Sequence, residues 1–194
     1  MQAIETRYFY TSVFQEQDQE CCSDSTLETI KKIAIGALTF VVTLPVIDLI
    51  ERSVVSLMEY FQLDLSSPQD VIELWNSLCC LPLALLSCLM KGLLLTYIVV
   101  IGPILEEFIF RDLLFMDGSP SEGIGRTILR VTGNGFLFGL AHLSPWQGWT
   151  NVPIFVFTFL FGCVLAGLRE ATGDIIAPAT THILNNGYAM YHFL

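Results

Sequence analysis

The sequence predicts an all-α fold, a polytopic transmembrane bundle of about six apolar helices, and three observations carry that expectation. Hydrophobic residues make up 53% of the 194 and charged residues only 14%, against about 25% in a soluble domain, so lipid is the expected solvent for much of the surface. The apolar residues come in long runs, each near the roughly 20 residues that a helix needs to cross the hydrocarbon core. Polar, Gly- and Pro-containing stretches such as "LSSPQD", "MDGSPSEG" and "SPWQGWTNVP" separate the runs. A net charge of −10 argues against a nucleic-acid partner, whose phosphates need a basic surface.

Residues 1–32 read as a polar, acidic lead-in, because Glu5, Glu16, Asp18, Glu20, Asp24 and Glu28 face only Arg7 within residues 1–30. No basic segment followed by an apolar one opens the chain, so no signal peptide is expected. "STLETIKK" gives the lead-in a helical end, with Ser25 placed as an N-cap and Glu28 three residues on. Residues 33–194 form the helical membrane domain. The first span is expected over 33–50, followed by an amphipathic or loop connection over 51–70. A second span fits 71–90, and 92–105 runs on beyond Lys91, which either marks a loop or snorkels from a longer helix. Residues 124–143 come next and carry Arg126, Arg130, Asn134 and His142. Trp146 and Trp149 then mark a turn at the water–lipid interface. Residues 153–168 are uncharged, and 175–194 close the bundle without a formal charge. Lys31 and Lys32 beside the first span favour a cytoplasmic N-terminus, in the cell or inner membrane if the host is bacterial.

The six cysteines (Cys21, Cys22, Cys79, Cys80, Cys88 and Cys163) include no C-x-x-C pair. A disulfide framework and a thiolate zinc site are therefore not expected. The vicinal pair Cys21–Cys22 is a weak candidate for acylation.

An ionisable group inside a span costs about 2.5–3.5 kcal/mol and normally faces a bundle interior or wet cavity, so three polar clusters stand out. The first lies in "ILEEFIFRDLL". Residues four apart on a helix are neighbours and adjacent residues diverge by about 100°, so Glu107 pairs with Arg111 and Glu106 is left as a free base. The second is Phe138 with His142, where Gly139 and Ala141 permit close helix packing. The third is "HILNN", in which His182 and Asn186 share a face and Asn185 lies beside them. Each cluster alone has a plainer reading: a helix-end ion pair, a packing histidine, interhelical hydrogen bonds. Together, one carboxylate, two histidines and an asparagine on three helices supply what is needed to set water against a peptide carbonyl. Glu106, His142 and His182 also match a hydrolytic zinc set, so zinc is an open alternative and no cofactor is certain.

The order Glu106, Glu107, Arg111; Phe138, His142; His182, Asn186 resembles the CAAX protease and bacteriocin-processing (CPBP) family of intramembrane proteases, which includes the type II CAAX prenyl endopeptidases. Phe110 and the run "GDIIAPATTH" look like the family as well. The resemblance places the protease-type core at 92–194 and implies an active site sunk in the bilayer. It implies that Glu106 activates water with help from His142, and that His182 and Asn186 stabilise the oxyanion. Glu107, Arg111, Phe138 and Asn185 would support them. Asp112 departs from the family, which usually has glycine there. The expected protein is an intramembrane endopeptidase, glutamate-type or metal-dependent, with the lipid bilayer and a peptide or lipidated-protein substrate as partners. A non-catalytic immunity or scaffold protein of the same fold, or a small transporter, is the alternative.

Overall fold

The computed structural model describes residues 2–63, 84–115 and 123–193. They are helical throughout apart from short connections, with no strand among the described residues. Helix α1 is Gln2–Tyr60. The next rod joins α2 (Ala84–Thr96), a π-helical turn (Tyr97–Ile101), α3 (Gly102–Glu107) and a second π turn (Phe108–Leu113). Then follow α4 (Ile124–Ala141), a 3₁₀ turn (Gly148–Thr150), α5 (Asn151–Thr172) and α6 (Ile176–Phe193). Among the described residues, three stretches are long and apolar enough to cross a membrane: Ser25–Tyr60, Ser87–Leu113 and Gly148–Thr172. Their outer faces carry exposed Leu38, Val41, Leu49, Leu93 and others, a surface that lipid solvates and water would not.

Several sequence expectations change here. Ser25 does not start the helix; it lies inside α1, and its carbonyl accepts a 2.9 Å bond from the Thr29 hydroxyl. Of the two alternatives for residues 51–70, amphipathic segment or loop, 51–60 take the helical one and continue α1, helped by the Asp48–Arg52 pair at 2.9 Å. The helix stops when Gln62 takes a positive φ of 57° and the amides of Gln62 and Leu63 turn back to the carbonyls of Glu59 and Met58, a Schellman-type ending. Lys91 does not break its run, so 92–105 is part of a longer rod and not a separate span. The 71–90 span and the 116–123 loop fall mostly outside the described residues, as do Cys79, Cys80 and the side chains of Cys21 and Cys22. Cys88 and Cys163 are free thiols. The segment Ser25–Tyr60, 36 residues, is about 54 Å long, well beyond a hydrocarbon core of about 30 Å. The apolar 33–50 stretch lies within this candidate span, with Lys31 and Lys32 at one end and Asp48, Glu51 and Arg52 at the other.

The bundle is fastened where the rod leaves carbonyls without helical partners. The π turns and the helix end strip acceptors of their usual i+4 donors, and side chains from three other helices answer them. Asn134 of α4 donates to the Phe110 carbonyl at 2.6 Å, Arg169 of α5 to that of Arg111 at 3.1 Å, and Asn186 of α6 to that of Ile98 at 3.0 Å. Helices α4 and α5 meet through glycine: a Cβ at Gly162 would lie 3.0 Å from Gly135 Cα and 3.1 Å from Phe138 Cβ. Gly139 shares that packing, whereas Ala141 is exposed and takes no part in it.

Helix α1 lies on α6. The Thr181 hydroxyl donates to the Gly36 carbonyl at 2.9 Å, and a side chain at Gly36 would collide with Ala177 and Thr180. Lys32 pairs with Asp174 in front of α6, and Asp174 Oδ1 also accepts the Ile176 amide at 3.0 Å. Gly173, at φ 78°, ends α5 in the left-handed conformation that only glycine adopts without steric cost.

Candidate active site

At the centre of the bundle is a charged core with no solvent contact. Glu107 and Arg111 are both 0% exposed. Arg111 Nε stands 3.2 Å from Glu107 Oε2, and its Nη2 donates to the Gly162 carbonyl at 3.1 Å. The guanidinium lies 4.3 Å from the Phe138 ring centroid, a favourable desolvated cation–π contact. The pairing expected from the i,i+4 spacing is therefore present. Glu107 has a second role that local spacing does not reveal: its Oε1 stands 2.8 Å from Nδ1 of His182, on α6.

Glu106, one residue earlier, points to the other side. Its Oε2 lies 3.6 Å from His142 Nε2 and 3.8 Å from His182 Nε2, and no hydrogen-bond partner reaches this buried oxygen. The ring orientations follow from what holds their far nitrogens. His142 Nδ1 stands 2.8 Å from the Phe138 carbonyl, which can only accept, so Nδ1 carries a hydrogen. His182 Nδ1 meets a carboxylate and is assigned a hydrogen on the same ground. In neutral rings both Nε2 lone pairs then face Glu106. Phe138, 1% exposed, spaces the two imidazoles, with centroids 4.5 Å from His142 and 5.7 Å from His182. Phe161 flanks His182 at 5.4 Å.

Glu106, His142, His182, Asn185 and Asn186 line one cavity of about 330 Å³, with Ile98, Phe138, Phe157, Thr158 and Phe161 among its walls. A larger cavity of about 520 Å³ adjoins it, sharing Phe157, Phe161, Asn185, Asn186 and Ala189. It is bounded by Phe40, Leu44, Ile47, Asp48, Glu51 and Arg52 of α1. His192 lines this second space and packs on Tyr188 at 4.4 Å. Asp112 is exposed at the end of the rod and does not line either cavity; nothing in the structure explains the choice of aspartate.

Two atoms 3.6–3.8 Å apart can both hydrogen-bond one water between them at about 2.8 Å. Neighbouring ligands of tetrahedral zinc, with bonds of about 2.0–2.1 Å, stand only about 3.3 Å apart. The described residues accordingly hold no preformed cluster of three metal ligands. The donor chemistry nevertheless fits zinc: each imidazole is held from behind by an acceptor, as metal-binding histidines usually are, and the carboxylate oxygen is unpartnered.

Asn134, Arg169 and Pro103 contribute to the site without having stood out as functional residues in the sequence. Asn134 and Arg169 hold the end of the rod that carries both glutamates. Pro103, buried one turn before them, shapes the first π turn. A proline inside an apolar run and an asparagine mid-helix were the available signals.

A sequence profile described as "Type II CAAX prenyl endopeptidase Rce1-like" matches residues 82–188, more than half of the chain. The membrane-embedded CAAX protease MroQ of Staphylococcus aureus (strain USA300) is 26% identical over 97 residues, which cover 48% of this chain and 36% of that protein. The match thus spans about a third of the relative's length. No solved structure matches the chain at comparable stringency.

Proposed function

The chain belongs to the type II CAAX prenyl endopeptidase Rce1-like family, and from that premise we propose that it is an intramembrane endopeptidase that hydrolyses a peptide bond with a water molecule activated by Glu106. One observation carries this reading: Glu106 Oε2 is buried, lacks a hydrogen-bond partner, and faces the Nε2 atoms of His142 and His182 across gaps of water size.

The chemistry balances with the groups at hand. Glu106 takes a proton from water as the water oxygen attacks the carbonyl carbon, and His142 holds the water through Nε2. The carbonyl π electrons move to oxygen. That oxyanion is met by the Asn186 amide and by His182, whose Nε2 donates when the ring is protonated and its Nδ1–H rests on Glu107. Two carboxylates and one guanidinium leave the cluster one negative charge in excess, which a single proton on the imidazoles neutralises. The C–N bond then breaks, and the leaving amine takes the proton held by Glu106. Arg111 pairs with Glu107 and holds it in place without touching substrate. The adjoining 520 Å³ cavity gives the peptide a path between α1 and α5 to the reacting atoms.

If zinc is bound, Glu106, His142 and His182 would hold it, and it would polarise the carbonyl and acidify water. The orphaned carboxylate oxygen favours this version as a second reading. The main test is Glu106→Gln, assayed in micelles on an internally quenched peptide chosen from a mixed-sequence set by turnover with the parent protein. Turnover should fall at least 100–10,000-fold while thermal unfolding stays close to the parent. Retained turnover would remove Glu106 from its role.

A further inference from the structure

The first π turn owes its form to Pro103. The Gly102 amide donates to the carbonyl of Tyr97, five residues back. Continuing that pattern would send the amide of residue 103 to the carbonyl of Ile98, but proline has no N–H. Asn186, from the last described helix, fills the vacancy: its Nδ2 donates to Ile98 O at 3.0 Å. A carbonyl only accepts, so the contact also decides which end of the amide faces Ile98. The NH₂ group is held there with one hydrogen committed and one left over. Ile98 and Asn186 line the cavity with Glu106 and both histidines, and Pro103 is fully buried behind them.

We propose that Pro103 is a positioning residue for the reaction: by withholding a backbone donor it reserves the Ile98 carbonyl for Asn186, and so fixes the amide that meets the oxyanion. This rests on the peptidase reading above, in which Asn186 is an oxyanion donor. An amide hydrogen at position 103 competes for the Ile98 or Val99 carbonyl and lets the turn tighten to i+4. Asn186 then loses the acceptor that orients it, while the cavity, the glutamates and the histidines remain.

The test combines a mutant cycle with an ester substitution, assayed on the same quenched peptide. Pro103→Ala should lower kcat about 10–100-fold, a large part of the loss expected for one oxyanion donor, with KM within twofold and no loss of thermal stability. Placing lactic acid, the α-hydroxy acid of alanine, at position 103 removes the amide hydrogen without restoring the proline ring. It should recover most of kcat. In an Asn186→Ala background, Pro103→Ala should cost nothing further. Full activity of Pro103→Ala, failure of the ester to rescue it, or an undiminished second loss in the Asn186→Ala background would each overturn the proposal. Asn186→Ala with parental kcat would overturn it too, while Glu106→Gln still judges the peptidase reading by itself.

Discussion

Replacing Glu107 by glutamine exchanges one carboxylate oxygen for an NH₂ group, removing a unit charge and changing almost no volume, yet it strikes a fully buried part of the molecule. Both Glu107 and Arg111 are 0% exposed, and their charged ends stand 3.2 Å apart. At an effective dielectric of about 20, that separation corresponds to about 5 kcal/mol of attraction. In Glu107→Gln the guanidinium keeps its bond to the Gly162 carbonyl and its seat over Phe138, but it loses its adjacent anion, and only Glu106 on the other side of the helix remains to balance it. Stability should fall by about 3–5 kcal/mol, the usual penalty for an abandoned buried charge. Glu107→Gln combined with Arg111→Met removes both charges and should recover most of the loss, since the buried guanidinium that lost its partner is gone as well. On the proposed mechanism catalysis should not recover, because a neutral amide replaces the carboxylate that holds His182 Nδ1 at 2.8 Å. The assay is reversible unfolding by dodecyl sulfate in mixed micelles, run beside peptide turnover for both variants. A single variant within 1 kcal/mol of the parent, or a double variant less stable than the single, would refute the electrostatic account of this core.

Further outcomes follow from other contacts. Gly135→Val should destabilise the protein by about 1–3 kcal/mol, read by the same unfolding assay, because even a Cβ there would stand 2.8 Å from the Cys163 amide nitrogen. His142→Ala should lower kcat at least 100-fold with the fold intact; a purely structural or immunity role predicts little change in the protein's cellular function. If zinc resides at Glu106, His142 and His182, elemental analysis of purified protein should find it near one equivalent and find it lost in His142→Ala. Leu44→Trp, which narrows the larger cavity, should raise KM for the quenched peptide several-fold with kcat nearly unchanged.

Much of the site was legible in the sequence because its local part obeys helical spacing. The i,i+4 rule assigned Glu107 to Arg111 and left Glu106 free, and the structure keeps that division. Long apolar runs likewise announced an all-helical membrane protein. What escaped was long-range or depended on backbone groups. The contact between Glu107 and His182 joins residues 75 apart in the chain, and no periodicity links them. Asn186 is held by a carbonyl, and carbonyls are invisible in a sequence until something shows which have lost their donors. Proline at 103 was that sign. Helix ends were missed for a related reason: Asp48, Glu51 and Arg52 look like a loop by composition, but they are compatible with a helix that outreaches the hydrocarbon core.

The bond between Asn186 and Ile98 also bears on biosynthesis. The rod carrying both glutamates enters the membrane well before the helix that completes it, since α6 is the last described helix to be translated. Until α6 docks, the Ile98 carbonyl has no donor, Glu107 has no imidazole, and Glu106 faces at most one. A nascent chain therefore holds its carboxylates without their full set of partners until the closing helix docks, and the peptidase proposed above would be complete only at that step.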